Sequence, residues 1–393
     1  MDDAARVQAL TDELLEGHDP KDRIAFRGAQ YDLGLGWVHF PVGYGGLGVD
    51  PKLQRVVEET LRDASVRYAE IGWSGFGLYL AAPTIVAHAE EDTKRRLLRP
   101  LFTGEEIWCQ LFSEPGAGSD LASLSTRAVR DGDEWVVNGQ KVWNTLAHIA
   151  DRGMLVARTD ADVPKHRGLT YFALDMHASG VEVRPLVQIT GEAEFNEVYM
   201  TDARVADRDR IGGVGDGWRV SMTTLMNERV TIGGAVAQRE SGPIADLLKV
   251  WRNLPDERRD AVARDQVTQL WIEAEILRLT NQRAAQNRKA GVAGPEGSVS
   301  KLAFAEINKR IYECAVNVMG PEGALIEYEF ARPKSAQLTG GGDPRKMFLR
   351  SRANSIEGGT SEILRNILGE RVLGLPGEPR VDKELPWNKV PRS

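Results

Sequence analysis

The hydrophobic pattern of this 393-residue chain changes its period twice, and this change constrains the fold most strongly. Residues 1–108 follow helical spacing, whereas residues 109–213 are short β-type runs separated by polar breaks. Two of these runs flank residues 131–133, Asp-Gly-Asp, which is typical of a hairpin turn. Residues 214–393 return to helical spacing. The sequence therefore predicts an α+β chain with an N-terminal helical domain, a middle antiparallel β domain and a C-terminal helical bundle.

Within these parts, three segments are expected to form long helices. They are residues 261–289, 299–319 and 352–373. Residues 71–88 are rich in glycine and aromatic side chains and predict a buried helix. The apolar run at residues 107–112 indicates either the end of a helix or a buried strand. The polar connection at residues 330–350 either shapes a pocket or is a surface excursion, and both alternatives stay open.

Composition excludes several classes of function. The hydrophobic content of 42% and charged content of 27% are ordinary for a globular protein, while the net charge of −7 argues against nucleic-acid binding as the main role. No apolar run approaches the roughly 18 residues of a membrane span, and the first residues lack the pattern of a secretory signal. Cys109 and Cys314 suggest neither a disulfide framework nor a metal site, and no histidine pair has metal-ligand spacing. A cytoplasmic protein without a metal is expected.

The most informative motif is Ser113-Glu114-Pro115-Gly116-Ala117-Gly118-Ser119-Asp120, which we name the ligand loop. Glycines at this spacing let backbone N–H groups approach a ligand that a Cβ would block. The acids can hold such a loop from behind by accepting backbone N–H bonds. A dinucleotide fingerprint would place glycine or alanine at Leu121, and a nucleotide P-loop would have a lysine after its glycines. The remaining alternative is an ordinary surface turn.

Residues 111–123 resemble the first signature of the acyl-CoA dehydrogenase family. Residues 138–145 and 355–366 resemble two further segments of that family, and the resemblance extends from about residue 30 to residue 375. It implies the family's fold, with a C-terminal four-helix bundle, and FAD as cofactor. The implied reaction is dehydrogenation of an acyl-CoA thioester to the trans-2-enoyl-CoA: a base removes the α-proton while the β-hydrogen leaves as hydride to flavin N5.

The resemblance also assigns ligand contacts residue by residue. The flavin contacts are Gln110, Phe112, Ser113, Gly118, Trp143, Thr145, Asn317, Gly320, Thr360 and Glu362. The substrate contacts are Ser119, on a CoA-contact position, and Arg229. An indole at position 143 would exclude water from the flavin, although a tryptophan considered alone is more typical of a core.

The catalytic base is the point at which the sequence departs from the commoner family pattern. Many members place the catalytic glutamate immediately before the Gly-Thr of the second signature, and Gly358 occupies that position here. A glycine can still donate its backbone N–H to the thioester oxygen. Some members carry the base in an earlier helical Glu-Arg pair, which matches Glu228 and Arg229. Glu228 is therefore the predicted base and Glu357 the alternative, with a side chain expected to point elsewhere.

Other family features are absent or altered. The Arg-x-x-Phe-Gly run, whose arginine reaches the flavin pyrophosphate of a neighbouring subunit, is missing, and three arginines could substitute for it. They are Arg252, Arg258 and Arg259. Asn317 and Pro321 replace a common glutamine and glycine in the segment that contacts the adenosine half of FAD.

The predicted function is thus FAD-dependent acyl-CoA dehydrogenation by a homodimer or homotetramer, with an electron-transfer flavoprotein as electron acceptor. Two alternatives remain. The chain could be a flavin-binding or non-catalytic subunit of a hetero-oligomeric dehydrogenase, or a flavin oxidase or monooxygenase on the same scaffold.

Overall fold

The computed structural model describes residues 2–66, 75–233, 236–290, 294–326, 342–379 and 382–391. A helical part, a sheet and a second helical part follow one another along the chain, as predicted. None of the helices in these ranges is long and apolar enough to cross a membrane.

The described residues of the N-terminal part contain five α-helices. They are α1 (Asp3–Gly17), α2 (Arg23–Asp32), α3 (Gln54–Asp63), α4 (Ala82–His88) and α5 (Glu91–Thr103). The side chains of Asp2 and Asp22 cap the first two by accepting backbone N–H bonds. A π-helical segment, Phe76–Ala81, leads into α4. Part of the helix predicted over residues 71–88 is therefore present, while residues 71–74 lie outside the described ranges.

The middle part is one sheet of eight strands. They are β1 (Trp108–Leu111), β2 (Arg127–Asp131), β3 (Glu134–Lys141), β4 (Arg152–Arg158), β5 (Leu169–Asp175), β6 (Val181–Pro185), β7 (Asn196–Ala206) and β8 (Arg210–Ile211). The order is β6-β7-β3-β2-β4-β5-β8, and β1 pairs with β4. Asp131 pairs with Glu134 across a turn in which Gly132 has a φ of 67°, so the predicted hairpin is confirmed.

The sheet is mixed rather than wholly antiparallel. Strand β1 pairs with β4 in parallel, and β2 touches β4 in parallel at one residue pair. The β2–β3 hairpin lies between β1 and β4 in the chain, and such a crossover lets the chain return in the same direction. Periodicity reports which faces of a strand are buried and not the direction of its neighbour, so the sequence pattern could not reveal this.

In the C-terminal part, six α-helices lie within the ranges that the structure describes. They are α6 (Gly217–Gly233), α7 (Pro243–Asn253), α8 (Ala261–Lys289), α9 (Glu296–Met319), α10 (Pro344–Arg350) and α11 (Ser361–Arg371). Helix α9 packs against α6, α7, α8 and α11. Helix α6 joins this part to the other two, because the Thr224 hydroxyl lies 2.9 Å from that of Thr84 in α4 and 3.2 Å from that of Tyr171 in β5.

The last predicted helix was wrong at its start. Residues 351–355 form a 3-10 turn, and α11 begins only at Ser361. Gly358 and Gly359 stand between them with φ values of 64° and 93°, a left-handed conformation that ends the preceding turn. The helices predicted over residues 261–289 and 299–319 are present. Residues 330–341 of the polar connection lie outside the described part of the chain.

We predict that Gly139→Ala destabilises the sheet. A Cβ at Gly139 would lie 2.4 Å from the Thr126 Oγ1 atom and 2.7 Å from its Cα atom. The free energy of unfolding should fall by about 2 kcal/mol, measured by urea denaturation. Gly118→Ala is the control, because a Cβ there meets nothing within 4 Å. Equal stability of the two variants would contradict the prediction.

Candidate functional site

The outer side of the ligand loop is open. The loop follows the buried strand β1, yet Gly116, Gly118 and Ser119 are exposed. A Cβ built on either glycine meets nothing within 4 Å. Within the described residues, the N–H groups of Gly118 and Ser119 donate no hydrogen bond. The fold itself therefore does not require glycine here, whereas a ligand that approaches the backbone would.

The inner side of the ligand loop is held by a buried ion pair. Glu114 accepts backbone N–H bonds from Ser125 at 2.6 Å and Thr126 at 2.9 Å, as expected for an acid that fixes the loop from behind. Its carboxylate also lies 2.9 Å from the Lys141 ammonium, which is completely buried and donates a second bond to the Phe112 carbonyl. Strands β1 and β3 are thereby joined at the base of the loop.

The charge state of Glu114 depends on this pairing. Burial alone would raise the pKa of the carboxyl, but Lys141 and the hydrogen bonds from Thr126 and Ser125 outweigh burial and hold the pKa below its usual value. Glu114 is therefore ionised at neutral pH, while burial lowers the pKa of the Lys141 ammonium beside it and the Glu114 charge opposes that shift.

Two residues just beyond β3 have unusual backbone conformations. Trp143 and Leu146 have φ values of 64° and 59°, which non-glycine residues rarely adopt. The Trp143 indole is 58% exposed and packs edge-to-face against Phe195, with ring centroids 5.8 Å apart. Thr145 lies between them and is half-buried. Strained backbone with an exposed indole is typical of a binding site.

A hydrogen-bonded chain joins this turn to α6. The Asn144 amide donates to the Gln110 carbonyl at 2.8 Å, and the Gln110 amide donates to a Glu228 carboxylate oxygen at 3.4 Å. The other polar atom of the Asn144 amide, Oδ1, is buried without a hydrogen-bond donor among the described residues. The structure thus brings the predicted base to the strand that leads into the ligand loop. The side chain of Arg229 lies outside the described residues.

The second signature forms a tight loop before α11. The Lys301 ammonium donates to the carbonyls of Gly359 at 2.5 Å and Asn354 at 3.0 Å. The Thr360 hydroxyl accepts a bond from the Ile363 N–H and so caps α11. Among the described residues, no acceptor faces the N–H of Gly358. Glu362 is exposed in the first turn of α11.

Glu357 is held by a buried arginine. Arg350 donates to Glu357 at 3.0 Å and lies 3.2 Å from Glu194 of the middle part. Its guanidinium lies 5.4 Å from the centroid of the Phe195 ring, which contacts Trp143. Arg350 therefore links the second signature, which contains Glu357, to the turn that carries Trp143.

Two predicted flavin contacts are remote from the others. Asn317 is sixteen residues beyond Lys301 in α9, which corresponds to about 24 Å along the helix. Asn317 and Gly320 are both exposed at the far end of α9. One copy of the chain does not bring them to Gly359.

The three arginines considered as substitutes for the missing run all pair within the chain. Arg258 donates to the Met319 carbonyl at 2.7 Å and pairs with Glu322, beside Gly320. Arg252 pairs with Glu240, and Arg259 pairs with Asp256. Of the three, Arg258 thus lies at the segment that the family resemblance predicts to contact the adenosine half of FAD.

Sequence reasoning missed Lys141, Arg350 and Glu194. Lys141 could have been noticed because it alternates in phase with Trp135 and Val137, so this strand pattern predicts a buried lysine. Arg350 and Glu194 carry no local signal, because their pairing joins segments more than 150 residues apart.

Comparisons with known proteins cover all three parts of the chain. Family models described as acyl-CoA dehydrogenase N-terminal, middle and C-terminal domains match residues 4–105, 109–203 and 215–373. Acyl-CoA dehydrogenase FadE34 of Mycobacterium tuberculosis is 40% identical to this chain over 348 residues. The match covers 88% of this chain and 45% of the relative, so this chain spans about half of that relative's length. Acyl-CoA dehydrogenase IpdE1 of the same organism is 37% identical, with 88% and 85% covered.

A solved structure is similar over nearly the whole chain. The crystal structure of the ChsE4-ChsE5 complex from Mycobacterium tuberculosis has 26% sequence identity and a TM-score of 0.70, and the match covers 96% of this chain and 99% of that chain. The fold match therefore includes all three parts.

We predict that Lys141→Met is strongly destabilising. It leaves the Glu114 carboxylate buried without its cation, so the free energy of unfolding should fall by about 3 kcal/mol. Adding Glu114→Gln should recover much of this loss, as measured by a double-mutant cycle in urea. Lys52→Met, which breaks an exposed pair with Asp50, is the control and should change stability by less than about 0.5 kcal/mol. Additive effects of the two buried substitutions would contradict the pairing.

The Glu114 pair also predicts a pH dependence. Because the folded-state pKa is below the unfolded value of 4.5, the carboxylate contributes stability that is complete above this value and is lost as the pH falls through the folded-state pKa. The stability difference between the wild type and Glu114→Gln should therefore shrink below about pH 4.5. Urea unfolding between pH 7 and pH 3.5 measures it, and a difference that does not vary with pH would contradict the assignment.

Proposed function

Because the chain belongs to the acyl-CoA dehydrogenase family of flavoprotein oxidoreductases, we propose that it oxidises an acyl-CoA thioester to the trans-2-enoyl-CoA with FAD as cofactor. The observation that carries this proposal is the contact between Gln110 and Glu228. It places a helical carboxylate at the strand that leads into the ligand loop. A base beside a loop of open backbone N–H groups is what removal of a proton next to a thioester requires.

Glu228 is the proposed base. The geometry favours it over Glu357, since Arg350 and Asn354 both donate to Glu357 and hold it in a structural role. Gln110 orients the Glu228 carboxylate, and such contacts are often long before substrate binds. Glu228 would take the α-proton of the substrate.

Gly358 is proposed to stabilise the negative charge that develops on the thioester oxygen. Its N–H is held in place by the Lys301 bonds to the adjoining carbonyls and by the Arg350–Glu357 pair. A fixed donor that needs no reorganisation during the reaction is effective in this role.

The residues around Trp143 fit a flavin. The exposed indole, the half-buried Thr145, the buried amide of Asn144 and the open backbone of the ligand loop offer both an aromatic surface and polar partners. Gln110, Phe112 and Ser113 would contribute from the middle part, and Thr360 and Glu362 from the bundle. When bound, the flavin would supply the two-electron oxidation as a hydride acceptor. An electron-transfer flavoprotein is the proposed electron acceptor.

A cavity near the base is the proposed acyl site. It has a volume of about 570 Å³, within the usual range for ligand pockets. Asn227, the neighbour of Glu228, lines it together with aromatic residues of the N-terminal part. These are Trp37, Phe40, Tyr79 and Phe102. Arg27 and Gln30 add polar groups to the wall. The volume and the aromatic lining favour a bulky acyl group over a short straight chain.

The flavin site is proposed to be completed by a second chain. Asn317 lies about 24 Å along α9 from Lys301 and Gly320 follows the end of that helix, so they would serve the cofactor of a neighbour. Helix α8 presents an exposed apolar stripe of Ile272, Ile276 and Leu279, which suits an interface between chains. The neighbour is a second copy or a related chain, as in the ChsE4-ChsE5 complex.

Both cysteines are free thiols, which suits the cytoplasm.

We predict that Glu228→Gln retains FAD and loses turnover by about 10³-fold, because it removes the base and keeps the shape. Glu357→Gln should have a much smaller effect on the rate. Anaerobic flavin bleaching against straight, branched and ring-bearing acyl-CoAs measures both variants and identifies the acyl class.

A Glu228→Gln variant that bleaches at nearly the wild-type rate would refute Glu228 as the base. Rapid oxygen consumption by the reduced wild type would instead indicate an oxidase or monooxygenase. Absence of flavin until a partner chain is added would indicate a subunit of a hetero-oligomer.

A further inference from the structure

Residues 382–391, which we name the C-terminal clamp, lie against the middle part of the chain. The N–H groups of Trp387 and Asn388 donate to the carbonyls of Val163 and Ala161 at 2.9 and 3.1 Å. The Asn388 side chain also donates to Asp162 at 2.6 Å. The clamp thus follows the connection between β4 and β5, at the end of the sheet where the ligand loop terminates.

The clamp covers a buried arginine. Arg158, 2% exposed, donates to the carbonyls of Ala122 at 2.6 Å and Leu124 at 3.1 Å, directly after the ligand loop. The Trp387 indole lies over this guanidinium, 4.3 Å from its carbon to the ring centroid, and donates to the Ser123 carbonyl at 3.2 Å. The indole shields these hydrogen bonds from water and strengthens them.

The clamp also shares a cation with the ligand loop. The Lys165 ammonium lies 2.8 Å from Asp120, the last residue of the loop, and 2.6 Å from Asp382 of the clamp. The Lys165 side chain is 11% exposed, so solvent screens these contacts only partly. Asp120 accepts a further bond from the Ser123 hydroxyl. The end of the ligand loop is therefore tied to the clamp through Lys165 and Trp387.

We propose that the C-terminal clamp positions the ligand loop for the CoA part of the substrate. This inference rests on the proposed function. Gly118 and Ser119, whose N–H groups are open, directly precede Asp120, so a fixed Asp120 orders them before CoA binds. Preordering lowers the entropy lost on binding. Asp382 and Trp387 are positioning residues: they act on substrate affinity through the loop and do not touch the reacting atoms.

The test uses the flavin-loaded full chain and two variants, Asp382→Asn and Trp387→Ala. Glu384→Gln is the matched control, since it removes one negative charge from the exposed side of the same segment. Titration calorimetry with free CoA should show a Kd raised about 5-fold in both variants, and KM for the acyl-CoA should rise in parallel. The rate of flavin reduction at saturating substrate, the FAD content and the flavin absorption spectrum should match the wild type, as should every property of the control.

Wild-type CoA affinity in Asp382→Asn would overturn the clamp's role, even if Trp387→Ala fails to fold. If the two variants have lower thermal stability but an unchanged Kd for CoA, the clamp stabilises the fold and does not position the ligand loop. A wild-type chain that binds neither CoA nor acyl-CoA would refute the proposed function and the clamp's role together, whereas equal CoA binding by the wild type and both variants would refute the clamp's role alone.

Discussion

The buried pair of Lys141 and Glu114 is the interaction on which the rest of the site depends. It joins strand β3 to the base of the ligand loop and leaves neither charge exposed to water. Breaking such a pair is costly because the remaining charge stays in a low-dielectric interior. The pair therefore fixes one loop conformation. In that conformation Phe112 and Ser113 lie beside the turn that contains Trp143.

Two more buried cations hold the surrounding loops in the same way. Arg350 bridges carboxylates of the middle part and the bundle, and Arg158 gathers the carbonyls that follow the ligand loop. Loops carry many backbone groups that regular structure does not satisfy, and a guanidinium with several donors can satisfy them at once. The site is thus built on loops whose backbone groups are held by buried charges, which suits a reaction that depends on position.

Local structure could largely be predicted. The helix expected over residues 261–289 is present with those bounds, and the Gly132 hairpin formed where the turn residues indicated. The failures have two different causes. The predicted final helix included Gly358 and Gly359, whose left-handed backbone separates the 3-10 turn from α11. The parallel pairing of β1 with β4 was missed because both directions give the same burial pattern.

The sequence by itself determined the order of helices and strands and the ligand loop. It also showed that Gly358 occupies the commoner position of the catalytic glutamate, which argues against Glu357 as the base. These follow from residue spacing and from side-chain chemistry, which are local properties. Only the tertiary structure decided which charges meet: Arg350 with Glu194 and Glu357, and Lys165 with Asp382, which is 217 residues away. A charged side chain does not encode its partner in its neighbours, because that partner is chosen by how distant segments pack.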